Sequence, residues 1–253
     1  MTIVHHDILS GIGGFSLAAR WVWGNEQTPA FFCERDPFCR WVLHRNFPGV
    51  PIHRDLRLLG GVHDSVDLVS AGFPCQPYSR AGKRRGAEDE RDLWTEIVRF
   101  LAEGSARWFI GENTYDFAHL GLDNAISDLE GLGYTTGTFV LPACSVGAPH
   151  RRDRLWIVAH ADRDGESMRP IHDFAKWLEQ SWFRQQAGSF CREKWPIGSP
   201  FSRGNDGLPD GVSWTRQEVI RAIGNSVVPQ LVAGILSGIR AVDDYYLSVN
   251  SQK

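Results

Sequence analysis

Between residues 3 and 160, short apolar runs alternate with stretches of helical periodicity, and this alternation restricts the fold more than any other feature of the chain. Residues 3–9 predict a strand, 15–22 a helix, 30–33 a strand and 37–47 a helix. Residues 66–71 read as a buried strand, 93–101 as a helix, 108–111 as a strand and 120–132 as a helix. Two more strands follow at 134–141 and 155–159 with no helix between them. Strands alternating with helices imply an α/β fold, a doubly wound and mostly parallel sheet, with an antiparallel pair at one edge.

The pattern breaks after residue 160. Residues 161–206 are rich in Arg, Trp, Gly, Ser and Gln, with one helical stretch at 173–185 and no strand series. Such a short segment cannot bury a substantial core alone. It is expected to be a small insert leaning on a main domain formed by residues 1–160 and 207–253. Val227, Leu231, Ile235 and Ile239 recur every four residues, a helix face returning to that domain.

Composition narrows the class. A net charge of −3 does not nominate a nucleic-acid binder, although 27 Lys and Arg residues can cluster locally. The five cysteines, Cys33, Cys39, Cys75, Cys144 and Cys191, form no CxxC pair, and there is no HExxH. No metal site is expected, and an odd, scattered count argues against a secreted disulfide scaffold. No run of about 18 apolar residues suggests a membrane span. A cytoplasmic protein is the expectation.

Chemistry concentrates where strands end. The first strand runs into Ser10-Gly11-Ile12-Gly13-Gly14-Phe15, where glycines allow a sharp turn and close approach of a nucleotide-like ligand. The stretch is neither GxGxxG nor a triphosphate loop, which disfavours a Rossmann oxidoreductase. A merely structural turn remains open. Glu34 ends the second strand about twenty residues on, where a carboxylate can accept from ribose hydroxyls, and Asp55 follows the next apolar stretch. Each taken singly also fits a solvated or capping residue.

After the buried strand comes Gly72-Phe73-Pro74-Cys75-Gln76-Pro77-Tyr78-Ser79. Cys75 there is placed for nucleophilic work, although a lone cysteine is more often a small buried hydrophobe. Glu112-Asn113 sits at the end of a later strand, where burial would raise the carboxyl's pKa and make it an acid. Arg152 and Arg154 alternate along a predicted strand and are expected to share one face, suiting a phosphate or a base carbonyl. An exposed edge strand would read the same way. Gly224-Asn225-Ser226-Val227 leads into the last helix.

In this order, these five stretches resemble the DNA cytosine carbon-5 methyltransferase family, in its compact, phage- or prophage-like form. The resemblance runs over residues 4–158 and 207–236. It implies S-adenosyl-L-methionine as cofactor and duplex DNA as partner, with the target cytosine flipped out of the stack. It also implies catalytic roles for Cys75, Glu112, Arg152 and Arg154. By the family pattern Gly11, Gly13, Phe15, Glu34, Arg35, Asp55, Leu56, Pro74, Leu93, Asn225 and Val227 line the cofactor pocket, and residues 161–206 hold target recognition. A monomer, a cognate restriction endonuclease and no membrane partner belong to the same expectation. The chain departs from the family at His150, where Gln is usual, at Thr114, where Val is usual, and in its small recognition segment. The tRNA-acting relatives share these motifs, so cytosine in RNA is the alternative substrate. An inactive cofactor- or DNA-binding module is the alternative from another class, and the intact Cys75, Glu112, Arg152 and Arg154 argue against it.

Overall fold

A computed structural model describes residues 3–60, 65–73, 93–161, 169–178, 180 and 214–250. Strand β1 (His5–Ile8) leads through the glycine turn into α1 (Gly14–Trp23), followed by β2 (Phe31–Cys33), α2 (Pro37–Asn46) and β3 (Ile52–His53). Then come β4 (Ser65–Gly72), α3 (Trp94–Glu103), β5 (Ser105–Thr114), α4 (Phe117–Leu120), α5 (Leu122–Gly131), β6 (Tyr134–Pro142) and β7 (Asp153–Ala161). Helices α6 (Arg169–Trp177), α7 (Arg216–Asn225) and α8 (Pro229–Asn250) complete the described chain.

The strands form one seven-stranded sheet in the order β3-β2-β1-β4-β5-β7-β6. β3, β2, β1, β4 and β5 are parallel, while β7 runs antiparallel to both β5 and β6. The expected α/β architecture and the antiparallel edge are both present. Winding proceeds outward from β1 in one direction and from β4 in the other, so a crevice opens between their carboxyl ends, where ligands bind in open α/β sheets.

Local chemistry explains the elements. Asp36 caps α2 by accepting from the amides of Phe38 and Cys39, with Pro37 in the first turn, where its missing N–H costs nothing. Thr215 and Glu218 form a capping box at α7. The helix expected over 120–132 is α5 at Leu122–Gly131, and Gly121, which packs against the Phe117 ring, separates it from the short α4 ahead of it. α6 begins at Arg169, four residues ahead of the expected start, so that Ile171, Phe174 and Leu178 line up inward. Gly238 of α8 has no side chain where the rings of Phe174 and Trp177 sit, so Trp177 packs against the main domain.

One core layer joins α3, α4 and α5 to the sheet, and the other joins α1, α6 and α8 to its opposite face. An 18-residue window within Gln217–Val249 is apolar and long enough to cross a membrane by composition. The apolar content of this stretch has another use here: Leu231, Val232, Ile235, Leu236 and Ile239 are buried in the second layer. Arg107 ties the far part of α8 to the sheet, donating to Asp243 at 2.8 Å and Asp67 at 3.2 Å, while Trp108 Nε1 also donates to Asp243.

Strand β1 is polar for a buried strand. His5, His6 and Asp7 are 0%, 2% and 0% exposed. His5 Nε2 is 2.8 Å from Ser70 Oγ, and Ser16 Oγ donates to Asp7 Oδ2 at 2.6 Å. The His6 ring lies against Phe31, with centroids 4.5 Å apart. Burial pushes His5 down to about 3, helped by neighbouring His6, and His6 to about 4. Burial pushes Asp7 up to about 7 against the pull of its hydrogen bonds.

Candidate active site

A cleft of about 660 Å³ opens at the carboxyl edge of the sheet, within the range of small-molecule sites. Its floor is the turn after β1. Leu9 and Gly11 take positive φ values of 53° and 55°, so the backbone reverses within three residues. Ser10 holds the turn by donating to the Asp7 carbonyl, and the Gly11 amide donates to Glu34 Oε2 at 2.8 Å. A Cβ at Gly11 would project into open space, whereas one at Gly14 would meet Val227 Cγ2 at 2.6 Å. The turn is thus open toward the cleft at Gly11 and roofed by the 224–228 segment at Gly14.

Among the residues expected at a cofactor, Gly11, Phe15, Glu34, Arg35, Asp55, Leu56, Leu93, Asn225 and Val227 all line this cleft. Gly13 does not. Its φ of 85° and its close approach to Leu43 and Phe47 make it a packing glycine beneath α2. Pro74 and Cys75 lie outside the described residues. Glu34 is held from both sides, since Oε1 also accepts from the Asp36 amide at 2.7 Å. Burial raises its pKa, and the two amides oppose that shift. Asp55 accepts from the Arg57 amide and pairs with its guanidinium at 3.6 Å.

The other wall is built at the end of β5. Glu112 is 7% exposed, and Arg154 Nε lies 3.0 Å from its Oε1. Burial raises the Glu112 pKa, while Arg154 and then Arg152 pull it back. Thr114 pairs with Arg154 across the β5–β7 ladder, which puts Glu112, Thr114 and Arg154 on one face of the sheet. Asn113 Nδ2 and Thr114 Oγ1 are buried without a hydrogen-bond partner among the described residues, and both residues line the cleft. Gly72 stands where the walls meet: a Cβ there would be 3.9 Å from Glu112 Oε2, Phe15 Cε2 and Val227 Cγ1. Just beyond it, the Phe73 amide donates to the Glu112 carbonyl, and the ring packs on Trp94 and Phe117.

Arg152 departs from expectation. It precedes β7 rather than alternating with Arg154 along it, because its φ of 42° takes the backbone out of strand geometry. Its guanidinium donates instead to the Ser226 carbonyl at 2.7 Å. Sequence reasoning also missed several residues that line the cleft, among them Leu9, Ser10, Cys33, Cys39 and Arg221. Arg221 pairs with Asp36, which also lines the cleft, and its i,i+4 spacing from Asn225 was the available signal. Burial and the Glu34 charge push both the Cys33 and Cys39 thiols up to about 12, leaving them protonated and unreactive.

Comparison with known proteins follows the same lines. The profile of the C-5 cytosine-specific DNA methylase family matches residues 3–191. The type II methyltransferase M2.BsuMI of Bacillus subtilis is 34% identical over 167 residues, 62% of this chain and 42% of its own length. M.HhaI of Haemophilus parahaemolyticus is 30% identical over 162 residues, 60% of this chain and 47% of its own. The matched region spans about half or less of the length of these curated relatives. Among solved structures, the S. pombe Dnmt2 methyltransferase superposes with a TM-score of 0.63 at 16% identity, covering 94% of this chain and 98% of its own. The Entamoeba histolytica methyltransferase EhMeth also reaches 0.63, at 14% identity, covering 97% and 99%. At such identities the structural likeness speaks to the fold.

Proposed function

The chain belongs to the C-5 cytosine-specific DNA methylase family, and from that premise we propose that it transfers the methyl group of S-adenosyl-L-methionine to carbon 5 of a cytosine flipped out of duplex DNA. The observation that carries this reading is the buried Glu112 carboxyl, paired with the partly exposed Arg154 and close to Phe15 and Val227 at Gly72, by the sheet's switch point.

An adenosyl sulfonium fits the cleft. Glu34 keeps free lone pairs after accepting two amides, enough for a pair of ribose hydroxyls. Phe15, Leu56 and Val227 supply apolar walls, and Gly11 leaves the turn open to a ligand. When bound, that cofactor supplies an electrophilic methyl group.

The remaining work falls to the protein. Carbon 5 of cytosine is too weak a nucleophile to take a methyl group directly. A thiolate adding to carbon 6 turns the ring into an enamine whose carbon 5 is nucleophilic, splitting one hard step into easier ones. Cys75 is the proposed thiolate; Cys33 and Cys39, the cysteines that line the cleft among the described residues, are held protonated and make poor nucleophiles. Glu112, favoured in its protonated form by burial, would place a proton at ring nitrogen 3 and lower the cost of the addition. Arg154 orients that carboxyl. After methyl transfer, which leaves the donor sulfur as a neutral thioether, water would take the carbon-5 proton as the Cys75 thiolate is expelled, and ring nitrogen 3 would return its proton to Glu112, restoring the ring. Flipping is required because the reacting face of a paired base is hidden in the stack.

Target recognition is assigned to residues 161–206, of which α6 packs on the catalytic sheet. The test is methylation of a random duplex library with labelled donor, mapped at base resolution. Label at carbon 5 of cytosines in duplex DNA is expected; label confined to RNA would overturn the choice of polymer.

A further inference from the structure

The site has two halves, and the described structure contains a physical link between them. Segment 224–228 roofs the glycine turn, with Val227 against Gly14 on one side and against the Gly72 junction on the other. This segment has little regular structure of its own, since α7 ends at Asn225 and α8 begins at Pro229. Its Ser226 carbonyl receives the Arg152 guanidinium at 2.7 Å. Arg152 lies two residues before Arg154, which holds Glu112.

Two features distinguish Arg152 from a residue simply facing the base. A non-glycine residue at a φ of 42° is sparsely populated, and it persists only where the surroundings over-determine it. The same twist removes Arg152 from the register that sends Arg154 and Thr114 to the Glu112 face. Its side chain is part-buried, and Nε is buried without a partner among the described residues. One guanidinium nitrogen is therefore committed to the loop while the side chain still lines the cleft.

We propose that Arg152 is a positioning residue that fastens the 224–228 roof of the cofactor half to the Glu112–Arg154 wall of the base half, so that filling one half favours the competent form of the other. The inference rests on the methyltransferase reading above and deepens it. Arg154 pairs directly with the acid, whereas Arg152 reaches Glu112 only through its charge and gives its hydrogen bond to the cofactor roof. Such coupling is reciprocal: whatever factor a bound base adds to cofactor affinity, the cofactor adds to base affinity.

The test separates the two arginines by what each variant loses. S-adenosyl-L-methionine binding to the full chain is measured by calorimetry without nucleic acid, alongside steady-state methyl transfer. Removing a charged donor from a part-buried carbonyl forfeits a hydrogen bond of the stronger kind, so Arg152→Met should weaken cofactor binding roughly tenfold and raise KM for the cofactor. Arg154→Met should leave cofactor binding within about threefold and lower kcat, since its partner is the acid. Arg152→Lys should recover part of the affinity, because one ammonium donor can still serve one carbonyl. Val227→Ala trims the roof itself, and its effect on cofactor affinity should be non-additive with that of either Arg152 variant.

Should Arg152→Met fail to fold by near-ultraviolet circular dichroism, Arg152→Lys combined with Val227→Ala decides the matter. Cofactor affinity at the wild-type value in Arg152→Met, or strict additivity with Val227→Ala, overturns the coupling and leaves the methyltransferase reading intact. A wild-type chain that binds no S-adenosyl-L-methionine overturns both.

Discussion

Replacing His6 by Phe should flatten the acid side of the stability profile by an amount that follows from the burial of β1. In the unfolded chain both histidines titrate near 6.5, but in the fold His5 is pushed down to about 3 and His6 to about 4. Between pH 4 and 6.5 the unfolded state therefore holds two protons that the native state refuses, and stability falls as the pH drops. Asp7 works in the opposite sense. Its native pKa of about 7 lies above the reference of 3.8, so over the same window the native state keeps a proton that the unfolded state has released. The three groups together leave a difference of one proton. That is a slope of about 1.4 kcal/mol per pH unit, or roughly 2.7 kcal/mol between pH 6.5 and 4.5. Such a loss is a large share of a typical domain's 5–15 kcal/mol. In His6→Phe the difference from these groups falls to zero, so the variant's slope should be shallower than wild type by about 1.4 kcal/mol per pH unit. Any repacking cost against Phe31 and Phe100 is independent of pH and shifts only the offset. Asp7→Asn should steepen the slope by a similar amount, since Asn can still accept from Ser16. Urea unfolding at pH 4.5, 5.5 and 6.5 measures all three proteins. Parallel profiles for wild type and His6→Phe would refute the argument, because they would mean that His6 titrates alike in both states.

The other predictions concern chemistry and the polymer. Cys75→Ser should abolish methyl transfer with cofactor affinity unchanged within a few-fold, and a 5-fluorocytosine duplex should trap the wild-type chain covalently, since fluorine blocks the final elimination. Mass spectrometry of the adduct locates the sulfur, and trapping at another cysteine would refute the assignment. Glu112→Gln should lower turnover by roughly a hundredfold or more with DNA affinity kept, because an amide can donate a hydrogen bond but deliver no proton. Loss of affinity alone would make Glu112 an anchor. Replacing Arg184, Arg192 and Lys194 together by Ala should flatten the salt dependence of duplex binding, by about 0.9 in log–log slope for each phosphate contact removed. An unchanged slope would move the DNA-facing surface to residues 80–91.

The sheet was legible because each strand and each helix carries its own periodicity, and caps such as Asp36-Pro37 are written in adjacent residues. β3 was not, since Ile52–His53 has only two residues and exists through pairing with Phe32 and Cys33. The conformation of Arg152 was also invisible. Alternate spacing predicts a shared face only for residues within one strand, and nothing in the sequence of an arginine announces a positive φ. Gly13 illustrates a different ambiguity. A ligand approaching closely and a helix packing closely both call for glycine, and here the helix is the cause. Cys33 stands beside Glu34 and Cys39 lies five residues further on, but nothing in residue type marks either thiol, and the winding of β2 and α2 brings both to the cleft.

The two carboxylates that motif order placed in one site differ in their surroundings, and the difference fits the two roles proposed for them. Burial raises the pKa of both Glu34 and Glu112. At Glu34 the opposition comes from backbone amides fixed by the glycine turn and the start of α2, donors that hold an acceptor in place and stay where they are. At Glu112 it comes from arginine side chains, one of them carried by β7 and able to follow the carboxyl as it gains or loses a proton. A carboxylate tied to rigid amides is suited to recognising hydroxyls, while one balanced between burial and a guanidinium is suited to passing a proton. Residue type alone could not have assigned these roles, because they depend on which donors the fold brings within 3 Å of each side chain.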